Sequence, residues 1–236
     1  MGRIFEVRKA KMFARYDRMA KQFTRFGKEI AIAVKAGGPD PETNAALRRY
    51  MQNAKAINMP KERIEGAIKN ALGKDTSNFE QVLYEGYGPH GIAILVETAT
   101  DNTTRTVANV RTIFNKGGGN MGNSGSVGFL FDHVGVFKLN KEGLNPEDLE
   151  LELIDAGLEE LGEDSEGNII IHTAYNDFGN MQKALEDRNI EPSNAELEWI
   201  PLNTIEVSED QSDDVFKLIE KIEQDEDVQR VFHNMA

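Results

Sequence analysis

The chain has no cysteine among its 236 residues, so it can form no disulfide, thiolate metal site or cysteine nucleophile. That absence fits a reducing compartment, and a cytoplasmic location is the expectation. Long apolar runs are missing too. No stretch approaches the roughly 18 residues that a membrane helix requires, so no membrane partner is expected. Arg3, Arg8 and Lys9 stand near the start but no apolar segment follows them, which argues against a secretory signal. Histidine is scarce and scattered, at His90, His133, His172 and His233, with no His-Glu-x-x-His spacing. There is no Gly-x-Ser-x-Gly nucleophile elbow. Carboxylates are so abundant, 40 in all, that any one pair of them carries no signal. No catalytic residue, metal, cofactor or small-molecule substrate is therefore expected.

What the chain does have is a split of charge. Residues 1–74 hold 17 Lys and Arg against 7 Asp and Glu, a net of +10. Residues 75–236 hold 10 against 33, a net of −23. The sequence pI near 4.8 hides this basic first third. Such asymmetry points to a segment that meets a polyanion, carried on a body that does not.

The basic third reads as helices. Met12, Tyr16, Met19, Phe23, Phe26 and Ile30 recur at alternating intervals of four and three, the stripe of an amphipathic helix. Lys11, Arg15, Arg18 and Arg25 lie on another face of it. Gly37-Gly38-Pro39 ends that helix. A second is expected from about Pro41, with Leu47, Tyr50, Met51 and Ala54 inward. A third follows Pro60, with Ile64, Ala67, Ile68 and Leu72 on its apolar face.

Beyond a polar linker at Lys74–Asn78 the pattern changes. Strands are expected at Val82–Tyr87, Ile92–Thr100, Ser126–Phe131, Val136–Leu139, Leu158–Leu161, Ile169–Thr173, Leu197–Ile200, Thr204–Val207 and Val228–Phe232. Helices are expected from Asp101 or Asn102 to Lys116, at Pro146–Ala156, at Phe178–Arg188 and at Asp213–Gln224. The stretch from 136 to 200 follows the β-α-β-β-α-β order of a ferredoxin-like unit. The short tail must complete the sheet begun at residue 82. The fold class is therefore α+β in three domains, an N-terminal three-helix domain plus two ferredoxin-like α+β domains, one inserted in the other: a basic helical domain at 1–76, a discontinuous α+β domain at 77–134 and 201–236, and a ferredoxin-like domain inserted at 135–200.

The candidate binding residues are cations of the helical domain: Arg8, Lys9, Lys11, Arg15, Arg18, Lys21, Arg25, Lys28, Arg48, Arg49, Lys55 and Lys61. A solvated face, docking on the acidic remainder and a membrane surface are the competing readings. Charge of one sign costs self-repulsion without a partner, and Phe5, Phe13, Tyr16, Phe23 and Phe26 are interleaved with it, so nucleic acid is favoured. The glycine-rich run Gly117–Gly125 runs from helix to strand and has no Gly-Lys-Ser/Thr. It reads as a flexible connection rather than a phosphate cradle.

Several motifs together resemble the YebC family over nearly the whole chain. They are Gly37-Gly38-Pro39-Asp40-Pro41-Glu42-x-Asn44, Ala54-Lys55-x-x-Asn58-Met59-Pro60-Lys61-x-x-Ile64, Tyr84-Glu85-Gly86-Tyr87-Gly88-Pro89-x-Gly91 and Thr100-Asp101-Asn102-x-x-Arg105-Thr106. Gly118-Gly119-Asn120 and Gly125-Ser126-Val127 match as well. The opening departs from the His-Ser-Lys-Trp segment of many members but keeps the pair Arg8-Lys9, so the chain resembles a divergent N-terminal branch. The resemblance implies a helical N-terminal domain and two α+β domains. It also implies a non-enzymatic regulator of gene expression, a DNA-binding transcriptional regulator in bacteria. The alternative is a ribosome-associated translational activator that contacts RNA, as mitochondrial relatives are described. A protein-interaction module without a nucleic-acid role stands behind both.

Overall fold

The computed structural model describes residues 3–73 and 78–236, with side chains from residue 19 onward. The chain divides into two compact units, Met1–Glu80 and Gln81–Ala236.

The first unit carries helices α1 (Arg3–Gly37), α2 (Ala45–Ala56) and α3 (Lys61–Ala71). Phe26, Ile30, Ala33 and Val34 lie one turn apart on one face of α1, and all are buried. They close against Leu47 and Ala54 of α2, Met59 in the connection, and Ile64 and Ala71 of α3. The apolar stripe expected from spacing is thus the core at Phe23, Phe26 and Ile30, while Met12 and Tyr16 lie outside the described side chains. The second helix starts later than Pro41. Asn44 caps it, accepting the Leu47 N–H at 3.0 Å through Oδ1. The same side chain donates from Nδ2 to the carbonyls of Ala33 and Gly38, each at 2.8 Å, so one buried amide ends α1 and begins α2.

The second unit continues with β1 (Glu80–Tyr87), β2 (Ala93–Thr100), α4 (Thr103–Lys116), β3 (Asn120–Met121), β4 (Phe131–Leu139), α5 (Pro146–Leu153), β5 (Leu158–Glu163), β6 (Ile169–Ala174), α6 (Phe178–Asp187), β7 (Asn194–Pro201), α7 (Glu209–Ile222) and β8 (Val228–His233). They build two four-stranded sheets, ordered β3-β1-β2-β8 and β5-β6-β4-β7. The fold is α+β, as expected. The tail strand β8 lies antiparallel beside β2, from Ile94 opposite His233 to Thr98 opposite Val228. Strand β2 is buried on both faces, which is why it reads as a nearly continuous apolar run. Ile94 and Val96 pack with Val110 and Phe114 of α4 and Val215, Leu218 and Ile222 of α7. Ala93 and Leu95 pack on the other side with Val127, Phe131 and Trp199. In the second sheet Phe137, Leu139, Ile169 and Ile171 meet Leu149 and Leu153 of α5 and Phe178, Met181 and Leu185 of α6.

Four expectations are corrected. Ser126–Phe131 is not a strand: Gly128–Leu130 form a 3₁₀ turn and the strand starts at Phe131. Strand β4 then runs unbroken to Leu139, because pairing with β7 throughout, and with β6 from Val134, holds the Asp132–Gly135 stretch extended. Thr204–Val207 reduces to a single bridge of Ile205 with Met235, since no neighbouring strand is placed to continue the ladder. Helix α7 begins at Glu209 rather than Asp213. Ser208 Oγ accepts the Gln211 N–H at 3.4 Å while the Gln211 side chain takes the Ser208 N–H at 3.0 Å, a reciprocal cap.

Candidate nucleic-acid interface

The described cations of the helical unit fall into two groups. Lys21, Lys55 and Lys61 are exposed, and Lys61 stands 3.5 Å from Glu65. The others are engaged within their own unit. The Arg25 guanidinium pairs with buried Glu29 at 3.2 Å and lies 5.2 Å from the Phe26 ring. Lys28 sits over Phe79 at 5.3 Å and Arg49 over Tyr50 at 4.6 Å, within cation–π range. Arg48 donates to the Pro41 carbonyl at 2.6 Å and so braces the turn ahead of α2. Arg8, Lys9, Lys11, Arg15 and Arg18 belong to α1, and their side chains lie outside the described residues. Among the described residues, exposed Arg63, 5.6 Å from the Phe23 ring, joins this cationic group. Sequence reasoning passed over it, although it lies two residues beyond Lys61 on the same helix.

The motifs shared with the family resolve into structural devices. Glu85 is buried, yet its carboxylate accepts the N–H groups of Gly125 at 2.7 Å, Val127 at 2.8 Å and Gly128 at 2.7 Å. Burial works to raise its pKa, but the bonds from the backbone amides outweigh burial and hold it below the usual carboxylate value. The glycine-rich run is therefore clamped from below by an ionised side chain. The N–H groups of Gly117, Gly119, Gly122 and Gly125 are all taken by protein oxygens, which leaves them unavailable to cradle a phosphate. Gly119 makes the close approach possible: a Cβ there would lie 2.5 Å from the Tyr87 carbonyl oxygen. The short strand β3 inside the run pairs with Gly86 and Tyr87 of β1, which sequence reading missed because two residues show no period.

Asn102 caps α4 by accepting the Arg105 N–H at 3.0 Å. Arg105 joins Asp101 at 2.9 Å and buried Asp227 at 2.6 Å. Thr100 and Thr106 donate their hydroxyls to the same Asp227 at 3.1 and 2.8 Å. The cluster ties the start of α4 to the turn before β8. Trp199 donates its indole N–H to Glu97 at 2.9 Å, and Arg230 bridges Glu97 and Glu196 at 2.9 and 2.7 Å. His133 stacks on Trp199 and Tyr175, with centroids 4.1 and 4.5 Å away, and burial lowers its pKa. His90 and His172 each face one carboxylate, Asp214 and Glu160. Burial also lowers the His233 pKa. Among the described residues no three His, Asp or Glu side chains converge on one point. Among the same residues no helix is long and apolar enough to cross a membrane.

The chain matches known proteins along its length. Residues 3–74 match the TACO1/YebC protein N-terminal domain, and residues 79–235 match the TACO1/YebC second and third domain. A protein of Myxococcus xanthus is 58% identical over the whole of both chains. One of Flavobacterium psychrophilum is 56% identical over all of this chain and 99% of its own. Both bear the name probable transcriptional regulatory protein. The crystal structure of a conserved hypothetical protein from Aquifex aeolicus superposes with a TM-score of 0.78 at 36% identity, covering 92% of this chain and 90% of that one.

Proposed function

The chain belongs to the TACO1/YebC family, and from that premise we propose that it is a non-enzymatic, cytoplasmic regulator of gene expression that binds nucleic acid through its basic helical unit. The observation that carries this reading is the division of charge, +10 on residues 1–74 against −23 on the remainder. Cations on a folded three-helix unit neutralise phosphates and release counterions, which gives affinity without reading bases. The phosphate contacts in this reading come from Arg8, Lys9, Lys11, Arg15, Arg18, Lys21, Lys55 and Lys61. Arg25, Lys28, Arg48 and Arg49 shape the unit that presents them. The names of the relatives support transcription as the setting, and DNA is the polyanion this reading assigns to it. The second reading is a ribosome-associated translation factor, supported by the acidic remainder, which favours a localised dock over wrapping along a polyanion.

The test is binding of duplex DNA, duplex RNA and ribosomes across a salt series. Reversing Arg15 and Arg18 to Glu is expected to weaken binding and to flatten the log–log salt slope by about one per lost contact. Binding that is indifferent to both substitutions overturns the reading. We also keep the division into 1–76, 77–134 with 201–236, and 135–200 as a proposal. It is supported by the chain crossing between the two sheets at β4 and again after β7. Limited proteolysis of the full chain, with first cuts expected near residue 77, checks the first boundary.

A further inference from the structure

Within the acidic unit one segment breaks the rule of its surroundings. Residues 102–131 contain no Asp or Glu, although 33 are spread over residues 75–236. They carry three cations, Arg105, Arg111 and Lys116. Arg105 is neutralised by Asp101 and Asp227. Arg111 and Lys116 are exposed and have no ion-pair partner among the described residues. Most other cations of the unit do have one: Lys138, Lys141, Arg188, Lys217 and Arg230 each pair with a carboxylate.

Their positions make a surface. The outer stripe of α4 is Ala108, Thr112 and Asn115, all exposed and uncharged. At 100° per residue, Arg111 and Lys116 flank that stripe on its two sides. The helix leads into the run Gly117–Gly125, whose exposed residues Asn120, Asn123 and Ser124 are small, polar hydrogen-bonding groups. That run is held at Gly119 by the Phe114 carbonyl, at Asn120 and Met121 by pairing with β1, at Gly122 by the Glu85 carbonyl and at Gly125 by the Glu85 carboxylate, so these groups are presented at fixed positions and at low entropic cost.

We infer that the exposed face of α4 and the glycine-rich run form a second contact surface for the phosphate backbone of nucleic acid, on the unit that is otherwise acidic. Arg111 and Lys116 supply the charge, and Asn115, Asn120, Asn123 and Ser124 supply neutral hydrogen bonds to phosphate or sugar. Residues 102–131 themselves add no carboxylate to this face; the acidic groups that reach α4, Asp101, Asp225 and Asp227, bond to Arg105 and Asn109, away from Arg111 and Lys116. This inference rests on the proposed nucleic-acid role and adds a second, separate footprint to it.

The test uses the full chain with a 30-base-pair DNA duplex and an RNA duplex of the same sequence. Arg111→Glu with Lys116→Glu is expected to lower the salt slope by about two and to weaken binding at least tenfold at about 0.1 M salt, on the polymer the unaltered chain prefers. Arg111→Gln with Lys116→Gln should lower the slope similarly without adding carboxylates, and far-ultraviolet circular dichroism confirms that both variants keep α4. The control is Lys183→Glu with Lys221→Glu, two exposed cations elsewhere in the unit, and it should leave the slope in place. A slope unchanged by the Arg111 and Lys116 variants but lowered by reversal of Arg15 and Arg18 overturns the second surface and leaves the helical one. An equal fall in the control pair shows general repulsion and also overturns it. Absence of binding by the unaltered chain overturns both readings.

Discussion

Glu85 concentrates more of the local order on one side chain than any cation does. Three amide groups from residues 125–128 converge on its carboxylate, and the bonds are strongest while it is ionised. Its pKa is lowered in the fold, so the unfolded chain takes up the proton first as pH falls. The stability it supplies is present above the ordinary carboxylate range and is lost as pH drops through the lowered value. Glu85→Gln, whose amide places donors against donors, is expected to cost about 2 kcal/mol near neutral pH. Urea titrations at pH 7 and in acid below the ordinary carboxylate range should show that difference shrinking, because the unfolded chain takes up the Glu85 proton while the folded one still resists it. Gly119 is the second sensitive position. Gly119→Ala drives a methyl group against the Tyr87 carbonyl, and backbone cannot yield as a side-chain tip can. A loss of about 2 kcal/mol, seen as a melting temperature lowered by roughly 5 °C, is expected. Neither residue was singled out by spacing, because each acts through a partner far along the chain.

Elements with a strong period were legible, and their ends were not. Helix α1 was readable from Phe23, Phe26 and Ile30, since neighbours one turn apart share a face whatever the rest of the chain does. The sequence places the start of α2 at about Pro41, whereas in the structure Asn44 caps the helix and Ala45 begins it. Asn44→Ala removes a helix cap and leaves the Ala33 and Gly38 carbonyls short of a donor. The expected cost is about 2 kcal/mol, read as a shift in the denaturation midpoint of the helical unit. Strand β4 was split in the sequence reading by Asp132–Gly135, a polar stretch that suggests a break. Strand β7 pairs along all of that stretch and β6 joins from Val134, and pairing overrides propensity. Strand β3 and the bridge at Ile205 are too short to have a period at all.

Across the whole molecule the opposed charges give salt two effects of opposite sign. Residues 75–236 carry 33 carboxylates against 10 cations, and that self-repulsion weakens as ions screen it. Raising sodium chloride from about 10 to 150 mM should raise the unfolding temperature of the second unit in scanning calorimetry. The same change should weaken nucleic-acid binding by the first unit. A second unit whose melting temperature is indifferent to salt would show its carboxylates to be compensated locally. Composition and short-range period alone determined the absence of thiol chemistry, the +10 and −23 division, the three-helix unit and the α+β class, because these depend on residue types and near neighbours. Tertiary structure decided which of the described cations are engaged within the fold. Arg48 and Arg105 look like Lys55 and Arg111 in the sequence, but the fold brings backbone carbonyls to the first and Asp227 to the second. It also decided that the glycine-rich run is clamped, since Glu85 finds Val127 across 42 residues of chain, a contact that no local pattern encodes.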